Sequence, residues 1–210
     1  MNEYQKCLDY VKSKLESAKQ IEINANKLKV NYRRFEHIRR VYGWVCRLIN
    51  EEDVKVNNER ALKIATIFHD VGYSIDSDEH HALLSARITK GYLTNNNYDK
   101  EFIDEVNYLI LNHSNKHLLY EKDTNIDLIL LMEADLLDDT GALGIILDIM
   151  VEHAKNPNCD FKDCYKHIYD YSVRIMKDNP MVTKIASMYW EKKKNLVNDF
   201  VNHLKVDLDM

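Results

Sequence analysis

The stretch Ala65-Thr66-Ile67-Phe68-His69-Asp70-Val71-Gly72-Tyr73 decides how the rest of the chain is read. Before it, Asn57-Asn58 offers a helix cap, and Ala61, Leu62, Ile64, Ala65, Ile67 and Phe68 form the stripe of an apolar helix. That helix is expected to stop near Gly72. A histidine and a carboxylate at such an end, with Ile67-Phe68 before and Val71 after, sit half in the core. Placing the acid there is costly unless something pairs with it. A divalent ion is the natural partner, because it takes imidazole nitrogen and carboxylate oxygen together. Adjacent helical residues do not share a face, but at a helix end their side chains can converge.

Other residues of the same kind lie on apolar segments to either side. His37 is mid-helix in Phe35-Glu36-His37-Ile38-Arg39-Arg40-Val41, and Asp135 lies in Leu130-Leu131-Met132-Glu133-Ala134-Asp135-Leu136-Leu137. His81 begins one helix and His113 ends another. The order His, His-Asp, His, His, Asp is one a metal centre would need.

The pattern resembles the HD-domain superfamily of metal-dependent phosphohydrolases over roughly residues 35–145. His37 followed by Arg40 and Val41 is similar to that family's first motif, and 65–72 to its His-Asp doublet. The stretch from Asp135 to Gly144 resembles the last motif of a nucleotide-pyrophosphohydrolase branch. That branch has arginine where this chain has Leu136, so its substrate preference is not carried over. His81 followed by Ser85-Ala86, and His113 in Leu109-Ile110-Leu111-Asn112-His113-Ser114, resemble the third and fourth ligand motifs of dinuclear members. His80 rivals His81, and the spacing to Ser85-Ala86 favours His81.

The resemblance implies an all-α fold with a five-helix core and a centre of one or two divalent ions (Mn, Fe, Mg, Ni or Co). His37, His69, Asp70 and Asp135 would hold one ion, and His81 and His113 a second, with Asp70 as bridge and catalytic residue. It implies hydrolysis of a nucleotide or related phosphate ester or anhydride by attack of a metal-bound hydroxide. Two other readings stay open: a diiron oxygenase of the same fold and ligand set, and a non-catalytic nucleotide- or metal-binding module. An alarmone hydrolase is disfavoured, because no Glu-Asp pair follows the doublet as in that family.

Arginine matches phosphate geometry, so Arg39, Arg40, Arg87 and Lys116 are candidate clamps. Arg40 and Lys116 are preferred as substrate-binding residues, each three positions from a proposed ligand and so on its side of the helix. Glu133, Asp138 and Asp139 are candidates for groups behind the ligands. His80, His117, His153, His167 and His203 are read as satisfied surface or core histidines, and Lys192-Lys193-Lys194 as a solvated face.

The formal charge of −5 gives no reason to expect long nucleic acid or an anionic membrane. A small phosphorylated substrate stays compatible, since a metal supplies local positive charge. No apolar run approaches the roughly 20 residues of a membrane span, and residues 1–20 lack the apolar core of a signal peptide. The four scattered cysteines (Cys7, Cys46, Cys159, Cys164) form no CxxC pair and read as reduced thiols. Together these predict a cytoplasmic protein, with a homodimer as a candidate assembly.

With two prolines and five glycines, little breaks helices. Apolar periodicity predicts helices over about 3–20 (Leu8, Val11, Leu15 and Ala18 inward), 33–50, 57–72, 80–90, 100–113, 125–138, up to 154, and 161–177. Residues 91–99 are expected to be a loop. A long last helix presents Ile185, Met188, Tyr189, Leu196, Val197, Phe200, Val201 and Leu204 on one face. The chain is expected to form one domain over 1–210, with a core over 33–145 and the helices of 146–210 packed on it.

Overall fold

Apolar residues recurring every three or four positions, with few breakers between them, produce nine α-helices and no strand among the described residues. The computed structural model describes residues 2–17, 30–51 (side chains from 34), 55–75 and 77–210. Helix α1 (Glu3–Ser17) buries Cys7, Val11 and Leu15. Its expected extension to residue 20, including Ala18, lies outside the described residues. Helix α2 (Val30–Glu51) buries Ile38, Val41, Val45 and Leu48 and packs on α3 (Glu59–Phe68) and α6 (Ile126–Asp138).

The start of α3 is fixed twice. Asn58 caps it, accepting from the Ala61 N–H at 3.1 Å. The fully buried Asp127 of α6 accepts from the N–H groups of Asn57 and Asn58, each at 2.8 Å. After Phe68 the chain makes a short 3₁₀ turn, Val71–Ser74, against the start of α4 (His81–Asn95). Gly72 makes that approach achievable. Its N–H donates to Ser85 Oγ at 2.8 Å, and an added Cβ would overlap the His81 carbonyl oxygen. Helix α5 (Lys100–Asn112) then packs on α3 and α4.

Helix α7 (Ala142–Lys155) follows Gly141, whose φ of +72° is a left-handed value that suits glycine. Then come α8 (Phe161–Ile168) and α9 (Lys184–Asp207), which lies against α6, α7 and α8. One hydrophobic cluster runs from Cys7 in α1 to Val201 in α9. No described helix is long and apolar enough to cross a membrane.

Four local expectations are corrected. Residues 91–95 are helix rather than loop: burying Leu93 completely contributes about 1.5–3 kcal/mol, against roughly 1 kcal/mol for a glycine such as Gly91 inside a helix. The helix expected over 161–177 is interrupted by a π turn, Tyr169–Val173. There the Ser172 N–H and hydroxyl reach Asp148 Oδ2 at 3.2 and 2.5 Å, drawing the amide toward α7. In α9 the anchor is Trp190, 1% exposed, with Ala186, Val197 and Val201, while Met188, Leu196 and Phe200 face outward. The lysine run is not simply solvated, since Lys193 Nζ donates to the Thr140 carbonyl at 3.1 Å and Lys194 Nζ to that of Lys177 at 2.5 Å.

Candidate metal centre

His37, His69, Asp70, His81, His113 and Asp135 come from five different places in the fold and meet at one point. Helix α2 carries His37, and α6 carries Asp135. His69 is the C-cap of α3, still helical at φ −53° and ψ −34°, and Asp70 follows it with φ −116° and ψ 10°, so the chain leaves the helical screw at Asp70 and the two side chains converge. His81 is the first residue of α4 and His113 the C-cap of α5.

Asp70 is the hub. Its Oδ2 lies 3.5 Å from both His37 Nε2 and His69 Nε2. Its Oδ1 lies 3.5 Å from His81 Nε2 and 3.6 Å from His113 Nε2. Each histidine pair is itself close, at 3.3 Å between Nε2 atoms. Asp135 Oδ1 completes the first group, 3.2 Å from His37 Nε2 and 3.8 Å from His69 Nε2. Donors around one ion, with bonds of about 2.0–2.2 Å, stand roughly 3.0–3.6 Å apart. Both clusters, His37–His69–Asp70 and Asp70–His81–His113, meet that test.

The rings are aimed by what their outer nitrogens touch. His69 Nδ1–H donates to the Thr66 carbonyl at 2.7 Å, and His113 Nδ1–H to that of Ile110 at 2.6 Å. His37 Nδ1 faces Asp138 Oδ2 at 2.9 Å. Acceptors on Nδ1 leave Nε2 for the centre, the usual arrangement behind a metal-ligating histidine. The His80 Nδ1 accepts from the Ala82 N–H at 3.3 Å, so His80 caps α4 while His81 faces Asp70.

Charge follows from these contacts. Burial lowers His69 and His81 to about 4, so both are neutral near pH 7. Burial also opposes a charge on His37, but Asp135, Asp138 and Asp139 outweigh it and raise that ring to about 11. The proton thus held between His37 and Asp135 occupies ground a cation would take. Asp70 stays well below the usual carboxylate range: burial works against this, but His69, His113 and Arg34 prevail. For Asp135, burial is likewise overcome, chiefly by Lys116 and His37.

The candidate clamps divide. Lys116 Nζ lies 2.6 Å from Asp135 Oδ2, at the edge of the centre. Arg40 is committed elsewhere, with Nε and Nη2 on the two oxygens of Asp138 at 2.8 and 2.9 Å. Arg39 pairs with Glu36 and Arg87 with Glu79, both away from the ligands. Asp139 Oδ1 is 3.5 Å from His37 Nδ1. Glu133 accepts from the Val182 and Thr183 N–H groups and the Thr183 hydroxyl at 2.7, 2.9 and 2.5 Å, tying α6 to the start of α9. His167 is a satisfied core histidine, with Nδ1 2.9 Å from Glu152 Oε2.

Two residues here were not singled out from sequence. Arg34 Nη1 donates to Asp70 Oδ2 at 2.6 Å, and its guanidinium lies 4.1 Å from the Tyr73 ring centre. Tyr73 in turn stacks on His81 at 4.7 Å. The signal for Arg34 was available: it precedes His37 by three positions, as Arg40 follows it by three.

The HD domain family model matches residues 34–140. No curated protein sequence matches the chain. Among solved structures, an HD-superfamily hydrolase from Bacillus thuringiensis is 22% identical, with a TM-score of 0.70 over 98% of this chain and 96% of that one. Bacillus subtilis YpgQ, solved in complex with ADP, is 20% identical, with a TM-score of 0.64 over 98% and 97%. A predicted HD-superfamily hydrolase from an uncultured Thermotogales bacterium is 18% identical, with a TM-score of 0.64 over 97% and 92%.

Proposed function

The chain belongs to the HD domain family, and from that premise we propose that it is a metal-dependent phosphohydrolase acting on a nucleotide or related phosphate ester or anhydride. The observation that carries this reading is the split use of Asp70, with Oδ2 toward His37 and His69 and Oδ1 toward His81 and His113. That donor set suits two divalent cations sharing one carboxylate. Asp135 would complete the first set. When bound, such ions supply Lewis-acid polarisation of phosphoryl oxygens and acidify a water molecule.

The chain's own residues do the rest. Asp70, 3% exposed, is kept ionised and ready to bridge. Asp138 orients His37 through Nδ1, and Arg40 grips Asp138 with a two-pronged contact, so Arg40 is a positioning residue. Lys116 holds the outer oxygen of Asp135, where its charge also faces an arriving phosphate. A nucleotide substrate is supported by the ADP complex of YpgQ, and the similar structures described as HD-superfamily hydrolases favour hydrolysis over oxygenase chemistry. A cytoplasmic setting agrees with the scattered free cysteines.

The test is release of phosphate or pyrophosphate from nucleoside di- and triphosphates by protein loaded with Mn²⁺, beside Asp70→Ala. Turnover lost in the variant, with helical content retained, is the expected result. Oxygen consumption by ferrous protein without phosphate release, or turnover retained in the variant, would sink the proposal.

A further inference from the structure

Two cations sit against the carboxylates of the centre, and they do so differently. Lys116 takes Oδ2 of Asp135, while Oδ1 of that group faces His37 and His69. Its ion pair does not use the inward oxygen. Arg34 takes Asp70 Oδ2, the oxygen that itself faces His37 and His69. Since Asp70 Oδ1 faces the other histidine pair, Asp70 has no spare oxygen to offer. A divalent cation in the first cluster would therefore share one oxygen with the guanidinium, and two like charges would meet there.

Arg34 has a second hold on the centre besides Asp70. Its guanidinium lies over the Tyr73 ring, and Tyr73 lies flat on His81, with 15° between the ring planes. The Arg34 side chain is 26% exposed against 4% for Asp70, so it reaches the buried carboxylate from the solvent side. A planar fork of N–H donors, fixed at the rim above both clusters, matches the oxygens of a phosphoryl group. We infer that Arg34 is the phosphoryl-binding residue of this centre: seated on Tyr73 beside Asp70, it would offer its fork of donors to the substrate's phosphoryl oxygens.

This rests on the metallohydrolase reading of the same site, and the test separates the two. Calorimetry of the full chain would measure Mn²⁺ binding, then inorganic pyrophosphate binding to the Mn²⁺-loaded protein, for wild type, Arg34→Gln and Arg34→Lys. Arg34→Gln should lower pyrophosphate affinity about tenfold or more, as for a lost charge-assisted contact, with Mn²⁺ affinity unchanged or raised. Arg34→Lys should fall about threefold or more, keeping the charge but not the fork; it carries the same criterion should the glutamine variant not fold. Unchanged pyrophosphate affinity overturns the inference. So does a parallel loss of Mn²⁺ and pyrophosphate binding, which marks a merely structural ion pair, or a loaded wild type that does not bind pyrophosphate. Wild type that binds pyrophosphate in the expected Arg34-dependent way but cleaves no nucleotide would remove the hydrolase reading and leave Arg34 as a phosphate ligand.

Discussion

His69 and His113 close two different helices and are held by the same device, Nδ1–H donating to the carbonyl three residues back. Their rings meet edge to face with centres 5.0 Å apart, and Asp70 stands within 3.6 Å of both. Two helix ends thus aim two lone pairs at one carboxylate, with the backbone supplying the aim. This is why α3 and α5 can build a centre without any long loop.

The protonation states give the first prediction. His69 and His81, at about 4, are neutral near pH 7, whereas His37, at about 11, holds a proton that a cation must displace. Metal uptake should therefore release about one proton at His37, and affinity should rise about tenfold per pH unit below 11. Titration calorimetry in two buffers of different ionisation enthalpy counts that proton. No release at pH 7 would contradict the charged His37.

Gly72 sets the distance between the two halves. A Cβ there would overlap the His81 carbonyl and stand 2.7 Å from the Ser85 N, both backbone atoms of α4 that have no rotamer to change. Gly72→Ala should push α4 away, lower stability by about 1–3 kcal/mol, and weaken the Asp70–His81–His113 cluster before the other. Denaturant unfolding and metal content per chain measure both effects. Unaltered stability and metal content would show that α4 is not seated through this glycine.

How far these features could be read from the sequence depends on what each residue's partners are. Helices with one buried stripe, such as α1 and α2, announce themselves by spacing, because the core needs those positions apolar. At Gly91 local propensity argues for a break in α4, and only the burial of Leu93, a tertiary fact, argues against it. The six His and Asp residues stand out because ligand-type side chains on apolar segments are rare. Arg34, Arg40 and Glu133 are different: a charged residue near a motif has many candidate partners, and only the fold assigns Arg34 to Asp70, Arg40 to Asp138 and Glu133 to Thr183.

Glu133 therefore offers a control. It is fully buried, and its carboxylate takes three donors at the start of α9. Glu133→Leu would strand those donors, at about 1–3 kcal/mol, while leaving the six His and Asp residues of the centre in place. Unfolding at lower denaturant with unchanged metal affinity is expected. Loss of metal binding in a protein that stays folded would return Glu133 to the centre.

His113→Ala asks whether the centre has two halves. The substitution removes a donor facing Asp70 Oδ1 and the ring's bond to Ile110, but leaves His37, His69, Asp70 Oδ2 and Asp135 in their contacts. His37→Ala removes a donor from that richer group and also takes the ring from Asp138, which Arg40 would still hold. Metal content should fall from two ions to one in His113→Ala, with the remaining ion bound within about threefold of its wild-type affinity. In His37→Ala the tighter ion should be lost or weakened by about 10–100-fold. The asymmetry matters more than either number. If His113→Ala and wild type carry the same metal with equal affinity, His81 and His113 are not ligands, and their 3.3 Å approach belongs to the packing of α4 on α5.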